Sequence, residues 1–248
     1  MWRKTFLIVV LISFIPLHAL AGAPIRVTFI NPGGSTGFWG SVVDVMKHAS
    51  ESLGVDLEVL HSNRDHSIIV AHAASVAERA EPPNFVIIVN ELKQGERQLE
   101  LFAAAGIPTY FLLNTIEPAR LRHIESSLGR PTGIVGSIVP DNRTAGYEML
   151  MALVDQTPSS AQPISVLAIL GDEVTPAALE REAGLRQAAN ELENVQIVRA
   201  FSVLWDADTA FQRVRTAIGL IRFDVIWAAN DDLALAAHRA LQSCDMPD

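Results

Sequence analysis

The chain has 248 residues, a formal net charge of −9 and a single cysteine, Cys244. An acidic balance repels phosphate backbones and argues against nucleic acid as a partner. A lone thiol makes no internal disulfide, so the fold must be held by an apolar core, for which a hydrophobic content of 49% provides the material.

Residues 1–21 have the layout of a secretion signal. Arg3 and Lys4 form a basic start, Phe6 to Leu17 an apolar run, and Ala19-Leu20-Ala21 an A-x-A cleavage site, so the mature chain is expected to begin at Gly22. The apolar run is short for a membrane span, and Pro16 interrupts it. No cysteine follows it to carry a lipid anchor. The remainder is long enough for two domains of ordinary size.

Strands are predicted over Ile25–Ile30, Val55–His61, Phe85–Asn90, Thr109–Leu113, Ile134–Val139, Ile164–Leu170, Val195–Phe201 and Asp224–Ala228. Most are near-continuous apolar runs, the pattern of parallel strands covered on both faces. Helical patterns lie between them. In the first, Phe38, Val42, Val45, Met46, Ala49 and Leu53 share one face, and Gly54 follows as a stop. Others span His66–Ala80, Gln94–Ala105, Asn142–Asp155, Ala177–Leu192, Ala207–Leu220 and Asp231–Ser243. The stretch Thr115 to Thr132 shows no clear periodicity and reads as a joint. Alternating strands and helices imply parallel sheets with right-handed crossovers. The expected fold is α/β: two doubly wound, Rossmann-like lobes, residues 22–138 and 139–248.

Several polar and aromatic residues fall where such lobes place ligands, at the carboxyl ends of strands. Phe38 and Trp39 follow the first strand across the loop Asn-Pro-Gly-Gly-Ser-Thr-Gly. Phe38 sits on the apolar face of the helix, which also suits a core role, whereas Trp39 lies off it and points to the cleft. Asn114 ends the fourth strand and serves either a ligand or a turn. Arg181 reaches either a ligand or its neighbours Glu180 and Glu182. Trp205 follows the seventh strand. Asn230 offers both a donor and an acceptor, while Asp141 and Asp231 suit helix N-caps.

The order and spacing from Ile25 to Asp248 carry a resemblance, as do the aromatic pair, the run Ala177 to Leu185, the run Val203 to Asp208 and the run Ala228 to Leu235. The chain resembles the periplasmic sugar-binding proteins of the ribose-binding type, in the type 1 periplasmic binding protein (LacI-like) superfamily. The resemblance implies that Phe38, Trp39 and Trp205 stack on a sugar ring, and that Arg181, Asn230 and Asn114 bind its hydroxyls. Thr115 stands where the family commonly has Arg, which weakens a ribose-like ligand. In the family a further strand carries a Gly-Phe-Asp run; here the chain stops at Asp248 after a helix, so a C-terminal truncation with the last strands missing is expected.

The expected role is periplasmic capture of a sugar or sugar-like molecule in a hinged cleft, by a monomer that hands it to the permease of an ATP-driven (ABC) importer. The alternative partner is a sensor kinase or chemoreceptor, as for furanosyl-signal receptors. A repressor effector domain is disfavoured by the secretion signal and the lack of an N-terminal helix-turn-helix. An exported α/β enzyme lacks support, because no G-x-S-x-G, G-x-x-x-x-G-K-[ST] or G-x-G-x-x-G occurs. His48, His61, His66 and His72 do not form a helical metal pair with supporting ligands. No catalytic residue, cofactor or metal is expected.

Overall fold

The apolar runs become strands of two parallel sheets in a computed structural model that describes residues 23–158 and 163–244. The secretion signal at residues 1–21 lies outside the described residues. The first sheet holds β1 (Ile25–Asn31), β2 (Val55–His61), β3 (Phe85–Ile88), β4 (Thr109–Leu112) and β5 (Ile134–Ile138) in the order β2-β1-β3-β4-β5. The second holds β6 (Ile164–Leu170), β7 (Val195–Ser202) and β8 (Val225–Ala228) in the order β7-β6-β8. All pairings are parallel. In each sheet the chain steps outward once and then crosses back past its first strand. That reversal leaves a crevice beyond the carboxyl ends of the strands, the place where α/β sheets bind ligands.

The helices are α1 (Gly37–Leu53), α2 (His66–Ala77), α3 (Gly95–Ala105), α4 (Pro118–Leu128), α5 (Asn142–Gln156), α6 (Pro176–Glu191), α7 (Ala207–Ile218) and α8 (Asp231–Gln242). Helix α4 occupies the stretch expected to be irregular. Pro118 opens it and the left-handed Gly129 ends it. Its apolar residues Leu121, Ile124 and Leu128 do keep helical spacing, and Ile124 is buried. Four polar or charged neighbours, Arg120, Arg122, His123 and Glu125, hide that spacing in the sequence.

Helix α1 corrects a second expectation. Its buried positions are Trp39, Gly40 and Val43, whereas Val45 and Leu53 of the expected apolar face are exposed. The buried face is turned by about one residue's step around the helix from the predicted one. Gly54 does end α1 in the left-handed region, as expected of a stop.

The first sheet packs Ile30, Val86, Ile88 and Phe111 against Ile69, Leu99 and Phe102. A separate cluster gathers Phe29, Trp39, Val43 and Val89 under α1. The second sheet has one core, centred on Val166–Leu170, Leu185, Trp227 and Leu233. Helices α5 and α6 cross this core at reciprocal glycines. A side chain at Gly146 would overlap the Arg181 backbone, and one at Gly184 would overlap that of Arg143. This close crossing fixes α6, and with it the start of the Arg181 side chain, against the second lobe.

Gly184→Ala sets two effects against each other. Helix propensity favours Ala by about 1 kcal/mol. The clash is with backbone, which cannot rotate away, and overpacking costs about 1–3 kcal/mol or more. The clash should win: thermal unfolding of Gly184→Ala is expected several degrees below wild type, and an equal or higher melting temperature would show that the helices separate freely.

Candidate functional site

Both lobes build the rim of the crevice by the same backbone device. After β2 the chain turns through two left-handed residues, Asn63 (φ 48) and Arg64 (φ 62); after β7 it does so at Leu204 (φ 53) and Trp205 (φ 60). None is glycine, so each conformation is costly and must be held. Holding comes from the backbone. Ser62 and Asn63 N–H donate to the Gly33 carbonyl at 3.2 and 3.1 Å, and Val203 and Leu204 N–H donate to the Gly171 carbonyl at 3.2 and 3.0 Å. An Asp follows each turn as a helix N-cap, Asp65 for α2 and Asp206 for α7. Arg64 and Trp205 thus occupy equivalent places in the two lobes.

One cleft lies between the sheets, with about 650 Å³ of space counting its open mouth. Each described strand contributes to it from beyond its carboxyl end. Phe38, Trp39, Arg64, Glu91, Leu113 and Asn114 come from the first sheet's loops and helices; Pro140 and Asn142 follow β5. Thr175, Ala177, Arg181, Trp205, Asn230 and Asp232 complete the wall. All six residues singled out in the sequence (Phe38, Trp39, Asn114, Arg181, Trp205 and Asn230) line this one cleft.

The aromatic pair exchanges its expected roles. Trp39 is 6% exposed and belongs to the core with Phe29, Val43 and Val89, while Phe38 is 52% exposed. Trp39 fits because Gly33, beneath its ring, has no side chain. Its Nε1 is buried without a hydrogen-bond partner among the described residues. The two rings meet edge to face, with centroids 5.2 Å apart at 78°. Asn31, fully buried, shapes the loop before them. Its Oδ1 accepts from Gly33 N–H at 3.0 Å, and its Nδ2 donates to the Gly34 carbonyl at 3.0 Å.

Arg181 is tied down at the opposite wall. Nε donates to Asn142 Oδ1 at 2.9 Å and Nη1 to the Ala229 carbonyl at 2.6 Å. Its guanidinium lies 5.9 Å from the centre of the Trp205 ring. Burial pushes its pKa down, and the nearby Asp231 carboxylate opposes that. An arginine stays charged regardless. The neighbouring carboxylates go elsewhere: Glu180 pairs with Arg143 and Glu182 with Arg186. Arg181 therefore keeps donors for a ligand.

Trp205 is positioned by Asp172, which the sequence did not suggest. The indole rests over Gly171, and its Nε1 donates to Asp172 Oδ2 at 2.7 Å. Asp172 Oδ1 accepts from Val174 and Thr175 N–H at 2.8 and 2.5 Å. The Thr175 hydroxyl also donates to Asp172 Oδ2. Burial disfavours this carboxylate, yet the bonds from Thr175, Val174 and Trp205 prevail and hold its pKa below the ordinary value.

Asn230 takes the capping role expected of Asp231 while still lining the cleft. Asn230 is the N-cap of α8, its Oδ1 accepting from Leu233 N–H at 2.9 Å, because the helix begins at Asp231. That leaves the Asn230 amide nitrogen as its donor at the cleft. Asp141 caps α5 as expected, accepting from Thr144 N–H at 3.0 Å. Asn114 is buried, and its Oδ1 accepts from Ala177 N–H of the opposite lobe at 3.0 Å.

Arg64 and Glu91 were also missed. The signal for Arg64 was the repeat itself: Arg64-Asp65 after the second strand corresponds to Trp205-Asp206 after the seventh. Glu91 gave no such signal. It is 3% exposed and accepts from Arg64 Nη1 at 2.8 Å. Burial raises its pKa, Arg64 offsets part of the rise, and the Asp172 carboxylate across the cleft adds to it.

A family model described as periplasmic binding protein domain matches residues 27–247. Solved structures show the same architecture. A periplasmic sugar-binding protein from Pseudomonas fluorescens is 30% identical, with a TM-score of 0.80 over 90% of this chain and 65% of that one. A galactofuranose-binding protein is 19% identical, with a TM-score of 0.78 over 90% of this chain and 72% of its own. A Mycobacterium smegmatis protein in complex with β-D-fucofuranose is 18% identical, with a TM-score of 0.78 over 90% and 70%. The chain thus spans 65% of the length of the Pseudomonas protein. No curated protein matches it in sequence.

Glu91 yields a test with a definite sign. A carboxyl whose pKa is raised by folding adds stability below its unfolded pKa and loses it as pH rises through the folded value. Ionised Glu91 therefore weighs against the fold at neutral and higher pH. Glu91→Gln keeps an oxygen for Arg64 without the buried charge. It should melt above wild type at pH 8, and the difference should close as pH falls toward about 4, near the ordinary Glu pKa. A difference that does not change with pH would remove charge burial as its cause.

Proposed function

The chain belongs to the periplasmic binding protein domain family, and we propose that it captures a sugar between two lobes, residues 22–138 and 139–248. Its fold is the two-lobed α/β architecture of type 1 periplasmic binding proteins. The observation that carries the reading is a cleft with a ring from each lobe, Phe38 and Trp205, beside the guanidinium of Arg181. Sugar rings present C–H faces to aromatic rings and hydroxyl groups to charged donors. The spare amide nitrogen of Asn230 supplies a further donor at the wall. A galactofuranose-binding protein and solved structures with bound β-D-fucofuranose and D-allose, all of the same fold, support a sugar as the ligand class.

In this role the protein works in the periplasm as a monomer, exported by residues 1–21. The lobes close over the sugar by a hinge, and the closed form docks on the permease of an ABC importer. It does no chemistry on its cargo.

Thermal unfolding of the mature protein against pentoses, hexoses and polyols tests this. Ligand at about 100 times its Kd adds roughly 2.7 kcal/mol, a clear rise in melting temperature. Unchanged melting with every sugar would end the sugar reading. With a binding sugar in hand, Arg181→Ala should weaken affinity by about 2 kcal/mol, because desolvated hydroxyls lose a charged donor. Equal affinity would take Arg181 out of the site.

A further inference from the structure

The first turn of α6 is short of one hydrogen-bond acceptor, and the opposite lobe supplies it. The first N–H groups of any helix have no partner within it. In α6 each can be accounted for. Thr175, at the N-cap, donates its N–H to Asp172 Oδ1, and its hydroxyl also goes to Asp172, so it makes no side-chain cap. Pro176 has no N–H. Ala178 and Leu179 N–H both reach the Thr175 carbonyl, at 3.0 and 3.1 Å. Only Ala177 N–H is left, and Asn114 Oδ1, at the end of β4 in the first lobe, accepts it at 3.0 Å.

We propose that Asn114 is a closure latch: it caps α6 from the other lobe and biases the cleft toward its closed form. The orientation of its amide is fixed by chemistry, since only the oxygen can accept from an N–H. The nitrogen is left for a ligand, so latch and binding role do not compete. Arg181 lies one turn further along α6, so the contact that joins the lobes lies on the same helix as the second lobe's cation in the cleft. The closed form carries an opposing element as well. Glu91 and Asp172, one carboxylate from each lobe, come near enough for Asp172 to raise the Glu91 pKa. A neutral latch that accepts from backbone joins the lobes without adding a third negative charge.

The proposal rests on the two-lobe cleft described above, but its test uses no sugar, so failure of the latch and failure of the sugar reading are distinguishable. Spin labels are placed on cysteines at exposed Asp44 on α1 and Arg213 on α7, with Cys244→Ser, in the mature chain. Distances between them report the spread of the lobes in unliganded protein. The unaltered latch should show a short-distance population. Asn114→Ala should shift the closed-to-open ratio about fivefold toward open, the usual worth of a helix cap at about 1 kcal/mol. Asn114→Leu fills nearly the same space with no acceptor and no added charge, and should open the cleft as Asn114→Ala does. Circular dichroism on each variant separates loss of the latch from loss of the fold. Asn114→Leu carries the test by itself if Asn114→Ala unfolds: a short population undiminished in the folded Leu variant would overturn the latch. So would a short population undiminished in a folded Asn114→Ala protein, or its absence when Asn114 is present.

Discussion

The second half of the cleft depends on one buried carboxylate. Asp172 takes two backbone N–H groups, one hydroxyl and one indole N–H. Each donor belongs to a different structural task. The backbone groups shape the turn that leads into α6, the hydroxyl occupies the residue that would otherwise cap that helix, and the indole fixes the Trp205 ring. Without the carboxylate these donors would be left to compete for water at a site that excludes much of it. The deficit at Ala177 N–H, and so the contact with Asn114, follows from how Asp172 engages Thr175. A single loop residue thereby links ring orientation, helix geometry and the contact between lobes.

The two lobes share a scaffold but differ in chemistry. After β2 and after β7 the same left-handed pair precedes an Asp cap, and the same pattern of backbone bonds holds it. Yet the first lobe presents Arg64 there, balanced by Glu91, and the second presents Trp205, anchored to Asp172. At this one pair of equivalent positions the wall is therefore charged in the first lobe and aromatic in the second. The glycines follow the same logic. Gly33 makes room for Trp39 in one lobe and Gly171 for Trp205 in the other.

Much of this was legible in the sequence, and the failures have identifiable causes. β6 begins and ends where its apolar run does, because a strand buried on both faces is marked by continuous hydrophobicity. β2, at the sheet edge, is marked instead by Val55, Leu57 and Val59 alternating with Asp56 and Glu58. The six cleft residues were found from strand ends and the local runs that carry the family resemblance. What the sequence concealed were quantities set by packing. The face of α1 was misjudged because exposed Val45 and Leu53 look as apolar as buried Val43. Helix α4 was missed because its three apolar residues are diluted by charge. Asp172 and Glu91 carried no signal, since their importance comes from burial and from Trp205 and Arg64, partners distant in the chain. The one residue's difference in the capping of α8 lay within the ordinary uncertainty of helix ends.

The left-handed turns at Arg64 and Trp205 have a consequence for how such a protein can change. Their unfavourable backbone geometry is held by main-chain bonds to Pro32, Gly33 and Gly171, not by the side chains that project from them. Most residues other than glycine, asparagine and aspartate meet a similar conformational penalty there. The path of the backbone is thus set apart from the identity of the side chain, but the side chain is not free: Arg64 and Trp205 each satisfy a buried carboxylate, Glu91 and Asp172. A new cargo at either point therefore requires a paired change, in the residue on the turn and in the carboxylate behind it.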